Sequence, residues 1–160
     1  MTPQSGKAKG RKLQNTVARM IADAADLRYG RPGDEEADVT GREMGQPGVD
    51  IVCRTDAARK AWPYPTYCRC AESWTRHPLK AMVEGRFEPA RWWTRELPVA
   101  RPKWQYSWLL YVFSAAREGL YVVTSSGAVR GDGEWSGFFA RGEVPGGQWE
   151  LREFSADFVV

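Results

Sequence analysis

The chain predicts a mixed α/β domain: an N-terminal amphipathic helix, two short strands, a second helix, a central strand pair and further β structure towards the C-terminal end. Three observations carry this prediction. Apolar residues from 13 to 27 recur at the spacing of one helix face. GVDIVC and TYCRC alternate side chains as half-buried strands do. QYSWLLYVF and GLYVVTSS are continuous apolar runs of strand length, as expected of strands covered on both faces.

Each element follows from local signals. Residues 1–10 are basic and lack apolar periodicity, so they are expected as a flexible basic arm ahead of one domain over 11–160. The first helix starts at Arg11. It places Leu13, Val17, Met20, Ile21, Ala24 and Leu27 on one face and is stopped by Gly30 and Pro32-Gly33. Residues 31–47 are polar and acidic and are expected as a connector. A strand covers 48–53, and Thr55 and Asp56 cap a short helical turn through Ala61. A second strand covers 66–70. A helix is expected over 72–83, kinked or started by Pro78, and residues 85–104, with three prolines, form an inserted loop. The two apolar runs make a hairpin. Residues 127–160 form a glycine-rich β elaboration whose own hairpin turns at Pro145-Gly146-Gly147.

Composition sets outer bounds. The 160 residues suit one compact domain with a tail, and 42% hydrophobic content is enough for a core. The 27% charged fraction is ordinary for a folded chain. No apolar run approaches the roughly 20 residues of a membrane-spanning helix. The first dozen residues lack the apolar centre of an export signal. With that start, three cysteines (Cys53, Cys68 and Cys70) suggest reduced thiols in a cytoplasm. A net charge of +3 suits a nucleic-acid binder and many enzymes alike. Cys53, Cys68, Cys70 and His77 suggest a zinc site only weakly, because C-x-C is not knuckle spacing and buried cysteine packs as a small hydrophobe.

Strand parity assembles a candidate site. Asp50 and Val52 share one face of the first strand, and Tyr67 and Arg69 share one face of the second. If the strands pair, Asp50 stands beside Tyr67 and Arg69, with the thiols on the opposite, core-facing side.

Four strings in order, KAKGRKLQN, GVDI, TDAARKAWPY and YCRC, resemble the PD-(D/E)xK nuclease superfamily. Within it they are similar to small phage and prophage proteins of the Holliday-junction-resolvase-like kind. The resemblance runs from Lys7 to Glu84, with a weaker echo in WLLYVFSAAREGLYVV. It implies a restriction-endonuclease-like mixed sheet flanked by helices, with the C-terminal β hairpin region added, in a phage protein acting in the host cytoplasm. In those relatives an aspartate and a glutamate hold Mg²⁺, and a lysine two residues later positions the attacking water. Carried over by position, Asp50 matches the aspartate and metal ligand. Tyr67 stands where the glutamate belongs and Arg69 where the lysine belongs.

That departure is asymmetric. Magnesium takes hard oxygen ligands, usually carboxylates and water, which a neutral tyrosine replaces poorly. Arginine keeps the charge and grips phosphate, but it does not deprotonate and so cannot serve as a base. The reading that follows is a DNA-binding protein of recombination or replication type, a pseudo-enzyme with a decayed site. An active Mg²⁺-dependent, structure-selective endonuclease is the alternative, with Glu72, Asp38 or Glu43 as relocated ligand. A protein-interaction module or inhibitor re-using the fold is the third. Lys7, Lys9, Arg11 and Lys12 are expected to track phosphates. Arg91, Trp92, Trp93 and Arg95 interleave cations with rings, which suits stacking on unpaired bases, a lid packed on its own sheet or a protein–protein hot spot. On the first reading branched or partly single-stranded DNA is the expected partner. A homodimer and a protein partner stay open.

Overall fold

A computed structural model describes residues 3–71, 110–115, 119–125, 138–144 and 147–154. Helix α1 spans Pro3–Ala24 and therefore absorbs most of the stretch expected as a flexible arm. The helical start has a local cause. Proline is tolerated at the start of a helix, where its missing N–H has no partner to lose. Gln4, Lys7, Ala8 and Lys9 are good helix formers, which offsets Gly6 and Gly10. Leu13, Val17, Ala18, Ile21 and Ala22 form the buried stripe, while Arg11, Lys12, Thr16, Arg19 and Asp23 are exposed.

The helix ends earlier than the apolar spacing suggests. Asp26 adopts a left-handed φ of 54°, a conformation aspartate tolerates better than most residues. Its N–H reaches the Asp23 carbonyl at 3.4 Å, and the Leu27 N–H reaches that of Ala22 at 2.8 Å. This paired closure satisfies carbonyls that a helix end leaves open. Leu27 still packs against the core, from beyond the cap.

Strands β1 (Tyr29–Gly30), β2 (Val39–Gly41) and β3 (Ile51–Cys53) form a small sheet in that order. The first pair is parallel and the second antiparallel. β2 lies inside the stretch expected as a connector. Its three residues are all buried, a strand too short to show a period between acidic neighbours. The strand expected over 48–53 is correspondingly shortened to β3. Around it, Arg28 pairs with Glu36 at 2.9 Å. Asp38 accepts the Arg28 N–H at 2.9 Å and the Thr55 hydroxyl at 2.6 Å. Thr55 also caps α2 (Asp56–Ala61) by accepting the Ala58 N–H at 3.2 Å, as its position predicts.

The larger sheet comprises β4 (Thr66–Ala71), β5 (Leu110–Ala115), β6 (Gly119–Ser125), β7 (Phe138–Val144) and β8 (Gly147–Glu153). Its order is β4-β5-β6-β8-β7, with β4 parallel to β5 and every other neighbour antiparallel. Both expected hairpins form: Ala115 pairs with Gly119, and Val144 pairs with Gly147. The architecture is mixed α/β. The expected helix over 72–83 and the loop over 85–104 lie outside the described residues.

One core joins the two sheets. Leu13, Val17 and Ile21 of α1 meet Val39, Ile51, Ala58, Trp62, Val122 and Phe154. Trp62 sits edge-on to Tyr64 at 5.1 Å and to Phe154 at 6.2 Å. Its indole N–H is satisfied by the Thr66 hydroxyl at 2.9 Å, as a buried tryptophan requires. Among the described residues no helix is long and apolar enough to cross a membrane.

Candidate nucleic-acid interface

Asp50 lies at the joint between the sheets, just ahead of β3. Its carbonyl accepts the Arg42 N–H at 2.7 Å, and its own N–H donates to the Thr66 carbonyl at 2.9 Å. Its carboxylate is doubly engaged: Oδ2 accepts the Cys68 N–H at 2.7 Å and Oδ1 accepts the Gln14 side-chain N–H at 2.7 Å. The expected ladder between the two strands does not form, because β3 pairs with β2 and β4 pairs with β5. Asp50 bridges them. It reaches β4 on either side of Tyr67, with its carboxylate standing in for a main-chain carbonyl.

The parity of β4 is as expected on its core side. Thr66 is buried, Cys68 packs against the core, Tyr67 is half-buried and Arg69 exposed. Glu72, Arg91, Trp92, Trp93 and Arg95 lie outside the described residues, as do Cys70's side chain and His77. Among the described residues the candidate pattern thus offers one carboxylate, and each of its oxygens already faces an N–H donor. Each oxygen keeps a second lone pair, but with Tyr67 and Arg69 as its neighbours Asp50 is the single hard carboxylate that the pattern offers to a magnesium ion. No group of three or more potential metal-binding side chains occurs among the described residues.

Cys53 is a core thiol. Burial pushes its pKa up to about 11 against the opposing pull of the Arg59 charge, and its Sγ lies 3.7 Å from the Trp62 carbonyl. A thiol so held carries little thiolate near neutral pH, and the thiolate is the nucleophilic form.

The charged surface lies on the outer side of α1. A groove of about 720 Å³ runs along it, lined by Lys7, Arg11, Lys12 and Arg19 with Asn15, Met20, Asp23 and Met44. A second hollow of about 390 Å³ adds Arg31, Arg42 and Glu43, and the two share Arg11, Asn15 and Met44. Among the described residues none of these cations is paired with a carboxylate, whereas Arg28 and Arg59 are. Arg19 lies over the Tyr29 ring, 4.9 Å from its centroid. Arg42 is fixed at the loop base by donating Nε–H to the Val49 carbonyl. Its guanidinium occupies the space beside Gly48, whose φ of 123° and missing Cβ both permit the contact.

The structure therefore brings Lys7, Arg11 and Lys12 together on one groove. Lys9 lies on the same helix but does not line it. Arg19, Arg31, Arg42 and Met44 join them unannounced by the sequence. In the sequence Arg19 is visible only as an outward position of the helix. Arg31 and Arg42 sit in a stretch whose acidic residues mask them, and only the return of β2 beside α1 brings them to the groove. Comparison with protein-family models, with curated proteins and with solved structures finds no match.

Proposed function

We propose that this chain binds DNA through the outer face of α1 and the adjoining 42–47 loop. In this reading it is a recombination- or replication-type protein on a restriction-endonuclease-like fold whose catalytic pattern has decayed. The observation that supports it is the groove and the adjoining hollow, whose cations Lys7, Arg11, Lys12, Arg19, Arg31 and Arg42 have no carboxylate partner among the described residues. Such a surface releases condensed counterions when it meets a phosphate backbone. The presence of Tyr67 and Arg69 on β4, where the resembled pattern has a carboxylate and a lysine, supports the loss of cleavage.

Fluorescence anisotropy with a four-way junction, a flap and plain duplex, each with Mg²⁺ and with chelator, tests both halves. Binding that weakens steeply with salt and no cutting under either condition is expected. The Lys7→Ala, Arg11→Ala, Lys12→Ala triple variant should flatten the log-log salt slope by about 0.9 for each phosphate it no longer neutralises. Salt-independent binding, or Mg²⁺-dependent cutting that requires Asp50, would overturn the proposal.

A further inference from the structure

The groove on α1 holds more than phosphate chemistry requires. Met44 is 54% exposed and is the exposed large apolar side chain among the described residues. It stands in the groove wall with Met20, between the cations of α1 and the loop. Gly45 follows it with a φ of 83° and open space around it, so the turn presents Met44 outward. The base of that loop is anchored by the bonds of Arg42 to Val49 and Asp50. A bare phosphate track needs only cations. At about 720 Å³ the groove instead has the capacity of a small-molecule site, which spans roughly 300–1,000 Å³.

We infer that this groove receives an unpaired nucleotide of a single strand, with the base against Met44 and Met20 and the flanking phosphates on Lys7, Arg11, Lys12 and Arg19. The inference rests on the DNA-binding reading and names the strand form that the site selects. Charge complementarity selects a polyanion. From Lys7 to Arg19 the helix rises about 18 Å at 1.5 Å per residue, a span over which a strand presents successive phosphates. The apolar component selects among polyanions. In a duplex the base faces are stacked and hidden, whereas an unpaired base offers its π-face. Methionine suits that face because its thioether is polarisable and its chain adapts to the ring. Methionine is also among the apolar side chains that proteins wedge against base steps.

The test uses the whole chain and four fluorescent probes at one salt concentration: oligothymidylate, an abasic strand of equal length, a duplex of that length and a polyglutamate peptide. Oligothymidylate should bind about tenfold more tightly than the abasic strand or the duplex. Met44→Ala should lose about fivefold on oligothymidylate and nothing on the abasic strand, at an unchanged melting temperature. Equal affinity for the thymidylate and abasic strands would overturn the base contact while leaving DNA binding in place. A thymidylate preference that survives Met44→Ala would overturn the assignment to Met44. Failure to bind any DNA, or equal binding of polyglutamate, would overturn the DNA-binding reading itself.

Discussion

The carboxylate of Asp50 completes the edge of β4 by accepting the Cys68 N–H at 2.7 Å, where a neighbouring strand would supply a carbonyl. The Asp50 N–H meets Thr66 two residues earlier on the same edge, and Asp50's carbonyl receives Arg42 from the β2 side. One residue thus couples the small sheet to the large one, and Gln14 ties the same carboxylate to α1. An aspartate does this better than a strand residue would, because its side chain spans the gap left where the backbone turns away at Gly48.

Asp50→Ala is expected to destabilise the fold by about 2–3 kcal/mol, since it leaves two part-buried donors without their charged acceptor. Asp50→Asn should cost less, because its carbonyl oxygen can keep the Cys68 bond and Gln14 can rotate its amide. Urea unfolding at constant m-value measures both. The folded fraction of either variant should bind DNA as wild type does, since Asp50 does not line the groove.

What the sequence made legible follows from the length of each pattern. The buried stripe of α1, the Thr55 cap and both hairpins rest on local signals that tertiary packing reinforces. β1 and β2 are hidden because strands of two and three residues carry no period. The candidate site is half legible. Parity places Thr66 and Cys68 on the core side, but pairing partners depend on long-range packing. No spacing rule shows that Gln14, reached across the fold, faces Asp50.

Gly30→Ala should be the more damaging of two glycine substitutions. A Cβ there would run into the Ala37 Cβ and stand 2.9 Å from that of Asp34, neither of which is a flexible tip. Overpacking of this kind costs about 1–3 kcal/mol. At Gly41 the added Cβ would lie 3.1 Å from Asn15 Oδ1 and 3.4 Å from the Gln14 Cβ. α1 need yield only a few tenths of an ångström, so the melting temperature should fall less. Equal losses would show that the 31–38 loop gives way easily.

Asp38 predicts part of the acid limb. The Thr55 hydroxyl and then the Arg28 N–H hold its carboxyl below its ordinary value. A depressed folded pKa means stability that is present above the unfolded value of about 3.9 and is lost as pH falls through the folded one. Asp38→Asn should therefore be less stable than wild type at pH 6, with the gap closing towards pH 3. A gap that stays constant across that range would show that the carboxylate's charge contributes nothing.

Cys53 predicts behaviour at the alkaline end. With its pKa raised to about 11, against about 8.5 for a free thiol, the contribution is intact below 8.5 and lost as pH rises through 11. At pH 8 the native thiol should resist iodoacetamide and react promptly once urea unfolds the chain, as peptide mass spectrometry would report. Rapid labelling of the native protein would mean that the packing against Trp62 opens readily.

Restoring the nuclease pattern is the sharpest test of the proposed decay of the site. Tyr67→Glu with Arg69→Lys places a second carboxylate and an amine on the face of β4 away from the core, at a half-buried and an exposed position, so the fold should survive. The pair alone should gain neither Mg²⁺-dependent thermal stabilisation nor cleavage. Asp50 would still be held by Gln14 and Cys68, which keeps its carboxylate turned to α1 and the β4 main chain instead of to the new glutamate. Adding Gln14→Ala frees Oδ1 while the main-chain bonds of Asp50 stay in place. The triple variant should then show a melting temperature that rises with Mg²⁺, because the metal relieves the repulsion between two nearby carboxylates. Asp50→Ala in that background should remove the rise. Cutting by the double variant would show that Asp50 exchanges its N–H donors for metal without help. A triple variant that folds but ignores Mg²⁺ would show that position 67 does not face Asp50.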